Sequence, residues 1–112
     1  MSEPHLNRKL VLETPERQPD GAGGFVEIWV PLGTLWADVA PRAGRELAGP
    51  GAAYARGQYK IIVRAAPPGA PSRPRPEQRF REDLRIFRIQ AVSDNDYAGR
   101  FLTCFVDEEG AA

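Results

Sequence analysis

Nucleophilic catalysis by Cys104 or by a serine would need an activating base beside it. His5 is the one histidine, and it lies in an N-terminal stretch with no apolar pattern to anchor it. No triad is expected. Cys104 stands in the alternating run Leu102-Thr103-Cys104-Phe105-Val106, where a cysteine serves as a small buried hydrophobe. As the single cysteine, it excludes an internal disulfide, and with one histidine beside it no zinc site of the Cys/His kind can be built. Asp94-Asn95-Asp96 has acids for calcium but not the further ligands and closing glutamate of a hand loop, and reads as a turn. Gly21-Ala22-Gly23-Gly24 precedes a strand pattern and lacks a Lys-Ser/Thr pair, so it suits a hairpin turn and not a phosphate cradle. The expectation is a protein that is not an enzyme, with no metal and no cofactor.

One further arrangement bears on chemistry. Trp29, Trp36, Tyr54, Tyr59, Phe80 and Phe87 interleave with arginines, as they would on a nucleic-acid-binding β-barrel whose rings stack on bases. Most of these rings fall at alternating positions that a small barrel needs for its own core. The barrel that binds nucleic acid therefore stands as the alternative function.

The elements that would position these residues are strands, because apolar side chains recur with period two. Leu10 and Leu12 share a face in a strand expected to end at Thr14-Pro15. The glycine turn returns the chain into Phe25-Val26-Glu27-Ile28-Trp29-Val30. Pro31 and Gly33 interrupt that run before Thr34 to Val39, so a long, bent strand is expected, with Leu35, Ala37 and Val39 inward. Tyr59, Ile61 and Val63 give another inward face, and Phe87, Ile89 and Ala91 a third. Leu102, Cys104 and Val106 complete the set. Two long loops separate these strands, one over residues 40–57 and one over 66–78. The second is proline-rich and reads as an extended, stiff connector, with a polyproline ligand as the alternative. Residues 1–7 and 107–112 read as solvated tails. About six strands joined this way favour one all-β domain closed into a small barrel or sandwich.

At 112 residues the chain suits a single modest core. No run approaches a membrane span, and Met1 to Leu6 lacks a signal-peptide core, so synthesis in the cytoplasm and no membrane partner are expected. The net charge is zero but unevenly spread. From Arg42 to Arg88 eleven Lys/Arg face four acids, a net +7, against −3 before and −4 after. Such a chain can set its basic middle against an acidic neighbour or against DNA; alternatively, the blocks mix on the folded surface.

Taken in order, Leu10-Val11-Leu12-Glu13, Asp20-Gly21-Ala22-Gly23-Gly24, Leu35-Trp36-Ala37-Asp38-Val39-Ala40-Pro41 and Gly44-Arg45-Glu46 resemble the phage head-tail joining family. Tyr59-Lys60-Ile61-Ile62-Val63-Arg64, Arg79-Phe80, Arg85-Ile86-Phe87-Arg88-Ile89 and Ala91-Val92-Ser93-Asp94 resemble its later strands. More narrowly, the chain is similar to head-closure (stopper) subunits of gene-transfer-agent particles. The resemblance implies an SH3-like barrel with an extended hairpin, assembled as a homo-oligomeric ring between a portal-side adaptor protein and a tail terminator protein in the particle neck. It also implies a central DNA passage narrowed by a loop, for which residues 40–57 are the candidate. Arg42, Gly44, Arg45, Glu46 and Arg56 are then the interface or channel residues, and Arg73, Arg75 and Arg79 a second contact. Dispersed arginines would give non-specific phosphate attraction without base readout; for Arg42, Arg45 and Arg56 the alternative is salt bridging between subunits.

Overall fold

The computed structural model describes residues 4–42, 57–94 and 99–110. Six antiparallel strands form its sheet: β1 (Arg8–Pro19), β2 (Phe25–Pro41), β3 (Gln58–Arg64), β4 (Arg79–Glu82), β5 (Arg85–Ser93) and β6 (Phe101–Glu108). Their order is β1-β2-β3-β6-β5-β4, and pairing of Val11–Glu13 with Arg79–Arg81 joins β4 back to β1, closing a barrel. The period-two pattern fills its inside. Leu10, Leu12, Ala37, Ile61, Val63, Phe80, Phe87, Ile89, Leu102, Cys104 and Val106 form the buried core. Val39 and Tyr59 pack against it, and the Tyr59 and Phe87 rings meet edge to face with centroids 5.5 Å apart.

β1 and β2 are longer than a barrel of this size can use. β4 covers β1 only as far as Glu13, and β3 covers β2 only from Ala37 onward. Beyond those limits the two strands continue as a hairpin arm, pairing from Glu13↔Pro31 to Pro19↔Phe25. The register shifts at Leu12/Glu13, where Leu32 is the extra residue, and Gly33 adopts a φ of 150° beside it. Such a bulge bends a strand and increases its twist, so Leu32 still packs on the core while the chain past it leaves the barrel. About six residues per strand give the arm a reach of roughly 20 Å. Accordingly, the radius of gyration is 15.6 Å, against about 13 Å for a compact chain of this length.

Strand one therefore does not end at Thr14-Pro15; it runs to Pro19. Proline is tolerated there because of where its nitrogen points. The Asp20 amide donates to the Gly24 carbonyl across the hairpin, at 3.0 Å. Backbone donors alternate along a strand, so the nitrogens of Pro15 and Pro19 face the edge away from β2, where no ladder bond is lost. At the tip the Asp20 carboxylate accepts from the amides of Ala22 and Gly24, at 2.8 and 3.0 Å. Gly21 and Gly23 supply φ values of 82° and 88°.

Three other expectations change. Ala91 does not face inward, because a register shift between Ile89 and Ala91 turns it to solvent and brings Val92 against the core. The proline-rich segment is not extended. Its amides close three successive reverse turns: Ala70 to Pro67, Arg73 to Ala70 and Gln78 to Arg75. Pro68-Gly69 in the first is the pairing a type II turn requires, with Gly69 at a φ of 87°. The turns fold Pro74 inward until it is fully buried. Lastly, the acidic end is no solvated tail: β6 includes Asp107 and Glu108, and both Glu108 and Glu109 are ion-paired.

Candidate assembly surfaces

The two ends of the barrel are closed by different chemistry. At the end where β1 begins, the core alternation places Arg8, Glu82, Arg85 and Glu108 on the inward side of their strands. Arg8 donates two bonds to Glu82, at 2.7 and 2.6 Å, and Arg85 donates two to Glu108, at 2.8 and 3.1 Å. These fork-to-fork pairs are the strongest geometry available to arginine and carboxylate. The Arg85 guanidinium also lies over the Tyr59 and Phe87 rings, 5.6 and 4.9 Å from their centroids. Bonding from Arg8 holds the Glu82 carboxyl below its ordinary pKa, and bonding from Arg85 does the same for Glu108. This rim is polar but internally satisfied.

The segment joining β2 to β3 departs from and returns to this same end, at Arg42 and Gly57. The Arg42 amide donates to Gln58 at 3.1 Å, and its guanidinium lies 5.2 Å from the Phe105 ring centroid. Gly44, Arg45, Glu46, Arg56 and Tyr54 lie outside the described residues.

Glu13 makes a second ion-pair cluster on the outer wall. Arg79 donates to one of its oxygens at 2.7 Å and Arg81 to the other at 2.9 Å, and Glu13 is only 5 % exposed. Burial alone would raise the Glu13 carboxyl; the bonds from Arg81 and Arg79 outweigh it and hold the group below its usual value. Trp29, from the base of the arm, lies against Arg79 and Arg88, 4.1 and 5.4 Å from ring centroid to guanidinium. Cation–π contact of this kind is worth about 0.5–1 kcal/mol, and here it pins the base of the arm to β4 and β5.

These pairs decide how the uneven charge is used. Four arginines of the basic middle, Arg79, Arg81, Arg85 and Arg88, bond to Glu13, Glu108 and Glu109 from the acidic ends. The sequence blocks mix, so much of the apparent polarity is consumed within the chain. Of the second-contact residues, Arg79 is thus a wall residue of β4. Arg73 folds back onto its own loop, donating to the Ala66 carbonyl at 2.8 Å, and Arg75 is exposed.

Two apolar features escaped the sequence reading. Phe25 and Val26 at the arm tip are 58 % and 47 % exposed, and Trp36 on the wall is 53 % exposed. Trp36 and Asp38 had the outward phase, which signalled exposure for the tryptophan, but nothing local told the arm from a barrel wall. The Trp36 ring carries Lys9 at 5.6 Å. Beside it, where β2 parts from β3, a groove of about 250 Å³ is lined by Leu35, Trp36, Arg64, Ala65 and Ala66, among others.

Cys104 is buried and its thiol is pushed up to about 12 by that burial. Among the described residues no group of three or more His, Cys, Asp or Glu is placed to hold a metal ion, and no helix is long and apolar enough to cross a membrane.

Comparison with known proteins agrees with this picture of a structural subunit. No curated protein matches the chain. A solved chain of the "Virion of native gene transfer agent (GTA) particle" is 52% identical, with a TM-score of 0.78, over 98% of this chain and all of that one. The solution structure of protein SF1141 from Shigella flexneri 2a superposes with a TM-score of 0.72, covering 98% of both chains at 23% identity, and so shares the fold. The model of the phage head completion protein family matches residues 1–109, and the chain belongs to that family.

Proposed function

We propose that this protein is a structural head-completion subunit of a tailed-phage or gene-transfer-agent particle, working as a ring in the neck between a portal-side adaptor and a tail terminator and retaining the packaged DNA. The observation that carries the reading is the 52% identity to a gene-transfer-agent virion chain over that chain's full length. The surfaces support it. An arm held out from the barrel with Phe25 and Val26 exposed at its tip suits contact with another macromolecule.

In this reading the 40–57 segment, which issues from the Arg8 end of the barrel, faces the DNA passage or the next subunit. A sliding duplex calls for weak phosphate attraction spread over many arginines, and Arg42, Arg45 and Arg56 would supply it. Deleting residues 44–56 tests the role. The expected outcome is a folded monomer with unchanged thermal unfolding and particles that lose DNA or lack tails; particles of normal transducing titre would refute it. The alternative, a free nucleic-acid-binding barrel, predicts salt-dependent binding of single strands by the isolated chain. Burial of Phe80 and Phe87 in the core and the contact of Trp29 with Arg79 and Arg88 leave few rings for stacking, which favours the structural role.

A further inference from the structure

The arm tip and the Trp36 groove are complementary, and they cannot meet within one chain. Phe25 and Trp36 lie on the same strand, β2, eleven residues apart, which is roughly 35 Å at the rise of a strand. Any contact between them joins two copies.

Size and charge both match. A dry cavity of about 150 Å³ takes a benzene ring, and the groove offers about 250 Å³. Phe25 brings such a ring, 58 % exposed although the Arg17 guanidinium lies 4.5 Å from its centroid. From Thr14 to Pro31 the arm carries Glu16, Asp20 and Glu27 against Arg17, so it is acidic. The groove is bounded by Arg64, with Lys9 over Trp36 and Arg73 bonded to Ala66. Asp38, on the same outer face, is already engaged by the His5 amide at 3.0 Å. The prolines bear on how the arm docks. Pro15 and Pro19 leave the outer edge of β1 poor in donors, which disfavours strand addition along that edge and favours contact through side chains.

We infer that Phe25 at the tip of one copy's arm seats in the groove between Trp36 and Arg64 of the next copy, with the acidic arm lying along its basic border. This deepens the ring reading above and rests on it. Two different surfaces of one chain, repeated by a constant rotation, make the head-to-tail contact that closes a ring.

Cysteines test the contact in assembled particles, because native Cys104 is buried and does not compete. The double variant Phe25→Cys/Ala66→Cys, oxidised in intact particles, should give a ladder of multimers of this chain on a non-reducing gel, with neither single variant doing so. A ring of this chain seen in the particle neck by electron microscopy without the disulfide ladder would overturn the groove contact and leave the ring standing; absence of such a ring would overturn the ring itself. Charge exchange gives a second readout. Glu27→Lys should lower transducing titre by about tenfold or more, as loss of a well-placed interface pair does, and Arg64→Glu in the same chain should restore it. Failure of that restoration, with both variants unfolding at the wild-type temperature, would count against the pairing.

Discussion

The barrel and the arm are built from the same two strands, yet the alternation of side chains means different things in each. In β1, Leu10 and Leu12 enter a closed core, whereas Glu16 to Pro19, a few residues later, are solvent-exposed. In β2, Ala37 is wholly buried while Phe25 and Val26 stand out at the tip. A period of two specifies a strand and its two faces; it does not specify that a second layer exists to cover either. The arm holds its shape through backbone pairing, the Asp20 cap and Trp29 at its base, and its apolar tip stays exposed.

This contrast predicts a wide gap in stability effects. Phe87→Ala should destabilise the isolated protein by about 3–5 kcal/mol, the usual cost of emptying a buried aromatic site. Phe25→Ala should change it by less than about 0.5 kcal/mol. Urea unfolding measures both, and a large loss from Phe25→Ala would mean that the arm folds onto the body.

Next in size is Glu13. Glu13→Gln leaves Arg79 and Arg81 facing a neutral, buried site, and should cost about 3 kcal/mol. Glu108→Gln breaks a two-bond pair whose carboxylate is more exposed than that of Glu13, and should cost less, about 1.5–2 kcal/mol. Equal costs would erase the distinction between the walled-in pair and the rim pairs.

Acid should act through the same groups. The carboxyls of Glu13, Glu82 and Glu108 all titrate below their ordinary value of 4.5 in the folded chain. Their stabilisation is therefore complete above that value and lost as pH falls through the lowered folded values. The melting temperature should be level from neutral pH to about pH 5 and decline below the normal carboxylate range, with a shallower decline in Glu13→Gln.

A smaller, stabilising effect concerns the turns that carry Pro74 into the barrel. Glu77 adopts a φ of 75°, a left-handed conformation costing a residue with a Cβ about 1–2 kcal/mol. Glu77→Gly should therefore raise stability by about 0.5–1 kcal/mol, part of the relief being offset by the greater freedom of unfolded glycine. A melting curve that falls instead would show that the Glu77 side chain matters to the closure.

Much was legible because it depended on neighbours in sequence. The alternations of Ile61 with Val63 and of Leu102 with Cys104 and Val106 point inward as read, since a strand places every second side chain on one face. The hairpin glycines were equally local. What misled were one bulge and a set of turns: one extra residue at Gln90 reversed the phase of Ala91 and Val92, and prolines that suggested a stiff extended loop instead occupy successive turns.

By itself the sequence determined that the chain is built of strands, which side chains most of them bury, and the likeness to head-joining proteins, all of which follow from residue type and spacing. Tertiary structure alone decided which strands close the barrel, that Glu13 pairs with arginines 66 and 68 residues away, and that Phe25 is left uncovered. Those outcomes depend on the lengths at which β3 and β4 stop shielding β2 and β1, and no local pattern encodes where a distant strand ends.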